Sequence, residues 1–180
     1  MEAQVFDENL IVAAKRGSLK AFDAMVSFYQ AAIYNHLYRL LGNSDDALDL
    51  TQDTFIKVYK NRSKIDTDKN FRAWLYKIAT NTAYDWLKKQ KRLPKTQEID
   101  EAAEFETNEL SLSYYSIEQI NNLDLENALK SLKSGHESVI RLYYQQGFSY
   151  VEISEILQIP LNTVKTNISR AKAELLKKIN

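Results

Sequence analysis

Only four glycines and two prolines interrupt 180 residues, and this scarcity of helix breakers constrains the chain more than any other feature. Apolar residues recur at the helical period almost throughout, so the fold class is all-α. A first helix is predicted around 7–16. After Gly17-Ser18 a long second helix runs over about 18–41 and stops at Gly42. Asn43-Ser44-Asp45-Asp46 then opens a third helix, supplying a capping oxygen and negative charge at the positive end of the macrodipole. The polar run Asp66-Thr67-Asp68-Lys69-Asn70 ends it, and a fourth helix follows over about 70–91.

Leu93-Pro94 closes this first unit, and residues 95–123 are acidic, serine-rich and weakly periodic, as a flexible linker is. From 124 the helical pattern resumes as four short helices. Two are signalled by the capping pattern S-x-x-E, Ser134 with Glu137 and Ser149 with Glu152, and Gly147 separates the second from the third. The chain therefore divides into two small helical domains, 1–94 and 124–180, joined by 95–123.

The formal net charge of zero hides an uneven distribution. Residues 1–94 carry 15 basic and 11 acidic groups, 95–123 carry Lys95 against seven acids, and 124–180 carry 8 basic and 6 acidic groups. Basic ends around an acidic middle suit polyanion-binding domains joined by a segment that nucleic acid repels. There is no cysteine, and His36 and His136 are isolated and read as ordinary helix residues, so no metal site is expected. Neither paired carboxylates in an apolar setting, a nucleophile with a base, nor a Gly-rich phosphate loop is present, so no catalytic residues and no cofactor are expected. The N-terminus lacks a signal-peptide pattern, and no apolar run approaches the ~20 residues of a membrane span. A cytoplasmic location is the expectation.

Residues 149–178 give a helix of about nine residues, a turn near Gln158 to Pro160, and a longer helix, as in a helix-turn-helix. Val164, Ile168, Ala171 and Leu175 place one face of the longer helix against Ile153, Ile156 and Leu157 of the shorter one. The opposite face carries Asn162, Lys165, Thr166, Ser169, Arg170 and Lys172. Short hydrogen-bonding groups toward the N-terminal end suit base edges, and cations further along suit phosphates. A basic amphipathic helix alone is usually just a solvated helix. Here five basic groups against one acid over 161–180 follow a tight turn and a capped helix, which favours DNA.

In the fourth helix Phe71, Leu75, Ile78, Thr82 and Trp86 form the expected core stripe, while Lys77, Asn81, Tyr84 and Lys88 align on another side. Cations interleaved with an amide and an aromatic ring suit single-stranded nucleic acid, although Trp74, Tyr76 and Trp86 taken singly suit a core better. The third helix turns Ala47, Leu50, Thr54 and Val58 inward and Asp46, Asp49, Gln52 and Asp53 outward. That acidic surface would repel DNA. It is either a docking site for a basic protein or a solvated face.

These segments resemble the extracytoplasmic-function sigma factors of bacterial RNA polymerase, over nearly the whole chain outside the linker. DALDLTQDTFIKVYK at 46–60 is similar to the segment that grips the polymerase's largest subunit. FRAWLYKIATNTAYDWLKKQKR at 71–92 is similar to the segment that melts and reads the minus-ten element, and SYVEISEILQIPLNTVKTNISRAKAELL at 149–176 to the reader of the minus-thirty-five element. The resemblance implies core-polymerase contact by Asp46, Leu48, Asp49, Gln52, Asp53, Phe55 and Ile56. It implies minus-ten contact by Lys64, Ile65, Arg72, Trp74, Lys77, Asn81, Tyr84 and Lys88, with Ile65 in the loop that pockets a flipped base. It implies minus-thirty-five contact by Asn162, Thr163, Lys165, Thr166, Ser169, Arg170 and Lys172. The linker would pass through the polymerase cleft, and an anti-sigma factor would be a further partner.

Four departures stand out. Leu48 occupies a place where the family often has an acid, Asn167 one where arginine is common, Ile65 is smaller than the aromatic some members use, and Gln158 stands where a turn glycine is frequent, which predicts strain if that residue is left-handed. The alternatives are a stand-alone helix-turn-helix regulator whose N-terminal domain dimerises or senses a ligand, and a helical adaptor with no nucleic-acid role.

Overall fold

The structure is a computed structural model and describes residues 7–90 and 127–179. The stretch 95–123 read as a linker lies outside the described residues. The chain divides at Leu93 into two compact units, each of which is described on its own.

The first unit holds α1 (Glu8–Lys15), α2 (Leu19–Leu41), α3 (Ser44–Lys60), a 3-10 turn (Arg62–Lys64) and α4 (Phe71–Lys89). Every one of these α-helices starts at a side-chain cap, each contributing about 1 kcal/mol. Asp7 accepts from the Asn9 amide at 2.8 Å and Ser18 from Ala21 at 3.3 Å. Asn43 accepts from Asp45 and Asp46 at 2.8 and 3.1 Å, and Asn70 from Arg72 and Ala73 at 3.0 and 3.3 Å. Gly42 ends α2 at φ 71°, a left-handed conformation that glycine adopts without a Cβ penalty.

Helix α2 packs against α1, α3 and α4, and α3 packs against α4. Met25, Ile33 and Leu37 of α2, Leu50 and Val58 of α3, and Leu75 of α4 are fully or almost fully buried there. Thr51 and Thr54 are also buried, and each hydroxyl donates to the carbonyl four residues back at 2.7 Å, which removes the cost of hiding it. The expected core stripe of α4 needs correction. Phe71, Leu75 and Thr82 are buried, but Ile78 and Trp86 are half-exposed, and Tyr76, Ala79, Thr80, Ala83 and Leu87 complete the buried face. Two neighbours, α2 and α3, bury a wider arc of α4 than a single stripe allows.

In the second unit residues 127–130 are helical (α5). Helix α6 (Ser134–Ile140) continues as a π turn over Arg141–Gln145, followed by α7 (Tyr150–Leu157) and α8 (Leu161–Ile179). The Ser149–Glu152 capping box forms, with the Ser149 amide donating to Glu152 Oε2 at 2.8 Å and the Glu152 amide to Ser149 Oγ at 3.3 Å. At the predicted Ser134–Glu137 box Lys133 takes the N-cap position, one residue earlier, without a side-chain cap, and the Glu137 carboxylate receives the Arg141 guanidinium at 2.9 Å. Arg141 is 3% exposed, and the carboxylate compensates the burial of its charge.

Candidate nucleic-acid and protein interfaces

The outward face of α3 presents Leu48, Asp49, Gln52, Asp53 and Ile56 to solvent. Leu48 and Ile56 are 53% and 50% exposed, so two apolar side chains bracket the acidic row. Asp46 is half-buried. Phe55 is 5% exposed and belongs to the core, where it backs the face. An acidic row with apolar ends can hold a basic protein surface by charge while the apolar ends lose water.

On α4, Trp74, Ile78 and Asn81 recur at helical spacing and line a concavity of about 290 Å³ together with Lys57, Asn61, Lys64 and Thr82. Lys57 Nζ donates to Thr82 Oγ1 at 3.0 Å, and the Thr82 hydroxyl donates to the Ile78 carbonyl at 2.8 Å. Asn61 Nδ2 donates to the Lys57 carbonyl at 2.9 Å and fixes the end of α3. Two ammonium groups, two amides and an indole around one hollow offer phosphate contacts and an aromatic surface to a nucleotide. Lys57 and Asn61 were missed by sequence reasoning. Lys57 meets Thr82 across 25 residues, and no local pattern reports that pairing.

Of the predicted set, the structure brings Lys64, Trp74 and Asn81 into this hollow and leaves Arg72, Lys77, Tyr84 and Lys88 outside its lining. Arg72 lies near Tyr29 and Tyr76, and its charge partly offsets the effect of burial, which pushes the Tyr76 phenol up to about 12. Burial also raises the Tyr84 phenol above its ordinary value. Ile65 is 2% exposed, so its side chain packs into the core of the free chain, and the turn preceding it is closed by the Ile65 amide donating to the Arg62 carbonyl at 3.1 Å.

In the second unit α7 and α8 form the expected helix-turn-helix. Val164, Ile168, Ala171 and Leu175 are at most 5% exposed, as are Ile153, Ile156 and Leu157. The opposite side of α8 leaves Asn162, Lys165 and Ser169 exposed and Thr163, Thr166, Arg170 and Lys172 half-exposed. Thr166 donates its hydroxyl to the Asn162 carbonyl at 2.9 Å, which leaves the oxygen's lone pairs to accept. Between the helices Gln158 sits at φ 57°, ψ 40°, the left-handed conformation that glycine takes without a Cβ penalty, so the condition for strain is met. Ser154 holds the turn, its hydroxyl donating to the Ile159 carbonyl at 2.6 Å.

Among the described residues no group of three or more His, Asp or Glu side chains is placed to hold a metal ion, and no helix is long and apolar enough to cross a membrane.

Comparison with known proteins follows this division. Residues 25–93 match the family model of sigma-70 region 2, and residues 122–175 match sigma-70 region 4. The chain is 35% identical to the ECF RNA polymerase sigma factor SigW of Bacillus subtilis (strain 168), over 94% of each chain. It is 33% identical to the ECF RNA polymerase sigma-E factor of Escherichia coli (strain K12), over 99% of this chain and 97% of the relative. Among solved structures it resembles the sigma factor RpoE in complex with the anti-sigma factor NepR from Bartonella quintana, with 26% identity, a TM-score of 0.63, and coverage of 89% of this chain and 97% of that one.

Proposed function

The chain belongs to the extracytoplasmic-function sigma factors and is a sigma factor of RNA polymerase, and from that premise we propose which surfaces do its work. Residues 1–94 form the domain that docks on core polymerase and captures the minus-ten element. Residues 124–180 form the domain that reads the minus-thirty-five element, and 95–123 joins the two.

Polymerase docks on the α3 face, with Asp49, Gln52 and Asp53 meeting basic groups while Leu48 and Ile56 are covered. Leu48 then acts as an apolar anchor at a place where the family often carries an acid. The α4 hollow takes an unpaired base and its phosphates from the opened strand, with Asn81 and Trp74 toward the base and Lys57 and Lys64 toward the backbone. Opening DNA costs a few kcal/mol per unstacked step, and capture of an extruded base offsets part of that cost. The outward face of α8 enters the major groove of the upstream element, its N-terminal Asn162, Thr163 and Thr166 toward base edges and Lys165, Arg170 and Lys172 toward phosphates.

The protein makes and breaks no covalent bond; polymerase supplies the chemistry. It works in the cytoplasm, and an anti-sigma factor restrains it by covering these surfaces, consistent with the partner in the related RpoE–NepR structure.

The observation that carries this reading is, in the first unit, an exposed acidic row on α3 together with a distinct amide-and-cation hollow on α4, and, in the second unit taken by itself, an amide-and-cation face on α8. The test is association of the full chain with core polymerase. Asp49→Ala and Asp53→Ala together should weaken it at least tenfold and leave the helical signal and melting midpoint unchanged. Undiminished association would remove α3 as the docking face.

A further inference from the structure

Lys172 ends a row on α8, Lys165–Ser169–Lys172, whose members are spaced by four and three residues and therefore lie on one side of the helix. Lys165 is exposed, but Lys172 is half-buried because aromatic rings from the preceding elements close on it. Its Nζ stands 5.6 Å from the centroid of Tyr144, within the range of a cation–π contact. Tyr144 is in turn backed by Tyr143, ring to ring at 4.8 Å, and Tyr143 by Tyr150 of α7 at 5.0 Å. Tyr143 and Tyr144 belong to the π turn Arg141–Gln145, and a π turn re-aims the side chains it carries; such turns are frequent at functional sites.

The chemistry of this clamp distinguishes it from an ion pair. A carboxylate would orient an ammonium and also neutralise it. An aromatic face orients the ammonium and leaves its charge available to a phosphate. The one acid of α8, Glu174, is occupied elsewhere, accepting from or paired with His136 Nδ1 at 2.9 Å. Burial works to lower the Lys172 pKa, but the hydrogen bond with Tyr144 and the neighbouring tyrosines raise it above its ordinary value on balance.

We propose that Tyr144 is a positioning residue for upstream DNA, holding the Lys172 ammonium at the end of the Lys165–Ser169–Lys172 row and aimed at a backbone phosphate beside the bases that α8 faces. This rests on the reading of α8 as the upstream-element helix. Lysine loses much rotamer freedom on binding a phosphate, and the clamp removes part of that freedom before DNA arrives.

The test uses holoenzyme assembled from core polymerase and the full chain, on a promoter selected by the wild-type protein, titrated with potassium chloride. Lys172→Ala should weaken binding several-fold and reduce the salt slope by about one. Tyr144→Ala should reproduce at least half of both changes, and the double variant should be no worse than Lys172→Ala alone. Tyr144→Phe, which keeps the ring and drops the hydroxyl, should lose less than Tyr144→Ala; a loss equal to that of the alanine variant would assign the positioning to the hydroxyl and overturn the aromatic clamp. If Tyr144→Ala loses helical structure, Tyr144→Leu fills the space without a π face and should behave as the alanine variant was expected to. A wild-type slope in Tyr144→Ala or Tyr144→Leu, beside a reduced slope in Lys172→Ala, would overturn the clamp and leave the α8 reading standing. Wild-type slopes in Lys165→Ala, Arg170→Ala and Lys172→Ala alike would overturn both.

Discussion

Acidification should destabilise the first unit through one side chain, His36. The imidazole lies between α2 and α4, with Nε2 2.9 Å from Thr80 Oγ1 and the ring 5.0 Å from that of Tyr76. Both His36 and Thr80 are buried. Burial first, and the charge of Arg39 second, lower its pKa to about 3. Unfolded, it titrates near ~6.5. Between those values the unfolded chain binds a proton that the folded chain refuses, so the stabilising contribution is complete above about 6.5 and is lost as pH falls toward 3. One proton corresponds to about 1.4 kcal/mol per pH unit in that window, or about 2 kcal/mol between pH 7 and pH 5. That is a large share of the 5–15 kcal/mol typical of a small domain. Urea unfolding followed by the fluorescence of Trp74 and Trp86, the only tryptophans and both on α4, reports this unit alone. Wild type should lose about 2 kcal/mol more than His36→Gln between pH 7 and pH 5. Equal losses in the two proteins would refute a buried neutral His36.

The remaining predictions concern the second unit and the hollow of α4. Gln158→Gly should raise the melting midpoint of the helix-turn-helix, since relief of a left-handed side chain, about 1–2 kcal/mol, exceeds the added backbone entropy of glycine at about 0.5–1 kcal/mol; calorimetry decides, and a lowered midpoint would contradict it. Ser149→Ala should cost about 1 kcal/mol by loss of the capping box, read from the same melts. Lys57→Ala should weaken capture of a single-stranded minus-ten oligonucleotide by holoenzyme and leave duplex upstream binding unchanged, with fluorescence anisotropy as the assay.

The starts of α1 to α4 and of α7 were legible because each lies at a local signal, Asp7, Ser18, Asn43, Asn70 or Ser149, that acts within its own turn. The inward face of α3 and both faces of α8 followed from periodicity, since each helix buries mainly one side. Periodicity failed on α4, which is pressed by two neighbours, and so did not place Ile78 in the hollow, while the core preference of large aromatics held for Tyr76 and not for Trp74. The local pattern also put the N-cap of α6 at Ser134, where Lys133 holds it, and did not show that Glu137 pairs with the buried Arg141 one turn on. Ile65 was read from family position alone, and its burial became visible only with the packed loop. Lys57 and Tyr144 contribute through partners 25 and 28 residues away in sequence, Thr82 and Lys172, and tertiary pairing of that kind leaves no trace in a local window.

The most direct measurement is transcription by purified bacterial core polymerase on a pool of promoter fragments, with and without the full chain. The account predicts initiation that depends on the chain and comes from fragments sharing two spaced elements. It also predicts that Asp49→Ala with Asp53→Ala abolishes this initiation, and that Lys165→Ala weakens it most at low promoter concentration. Absence of initiation, together with salt-sensitive binding of duplex DNA by a dimer of the chain alone, would contradict it.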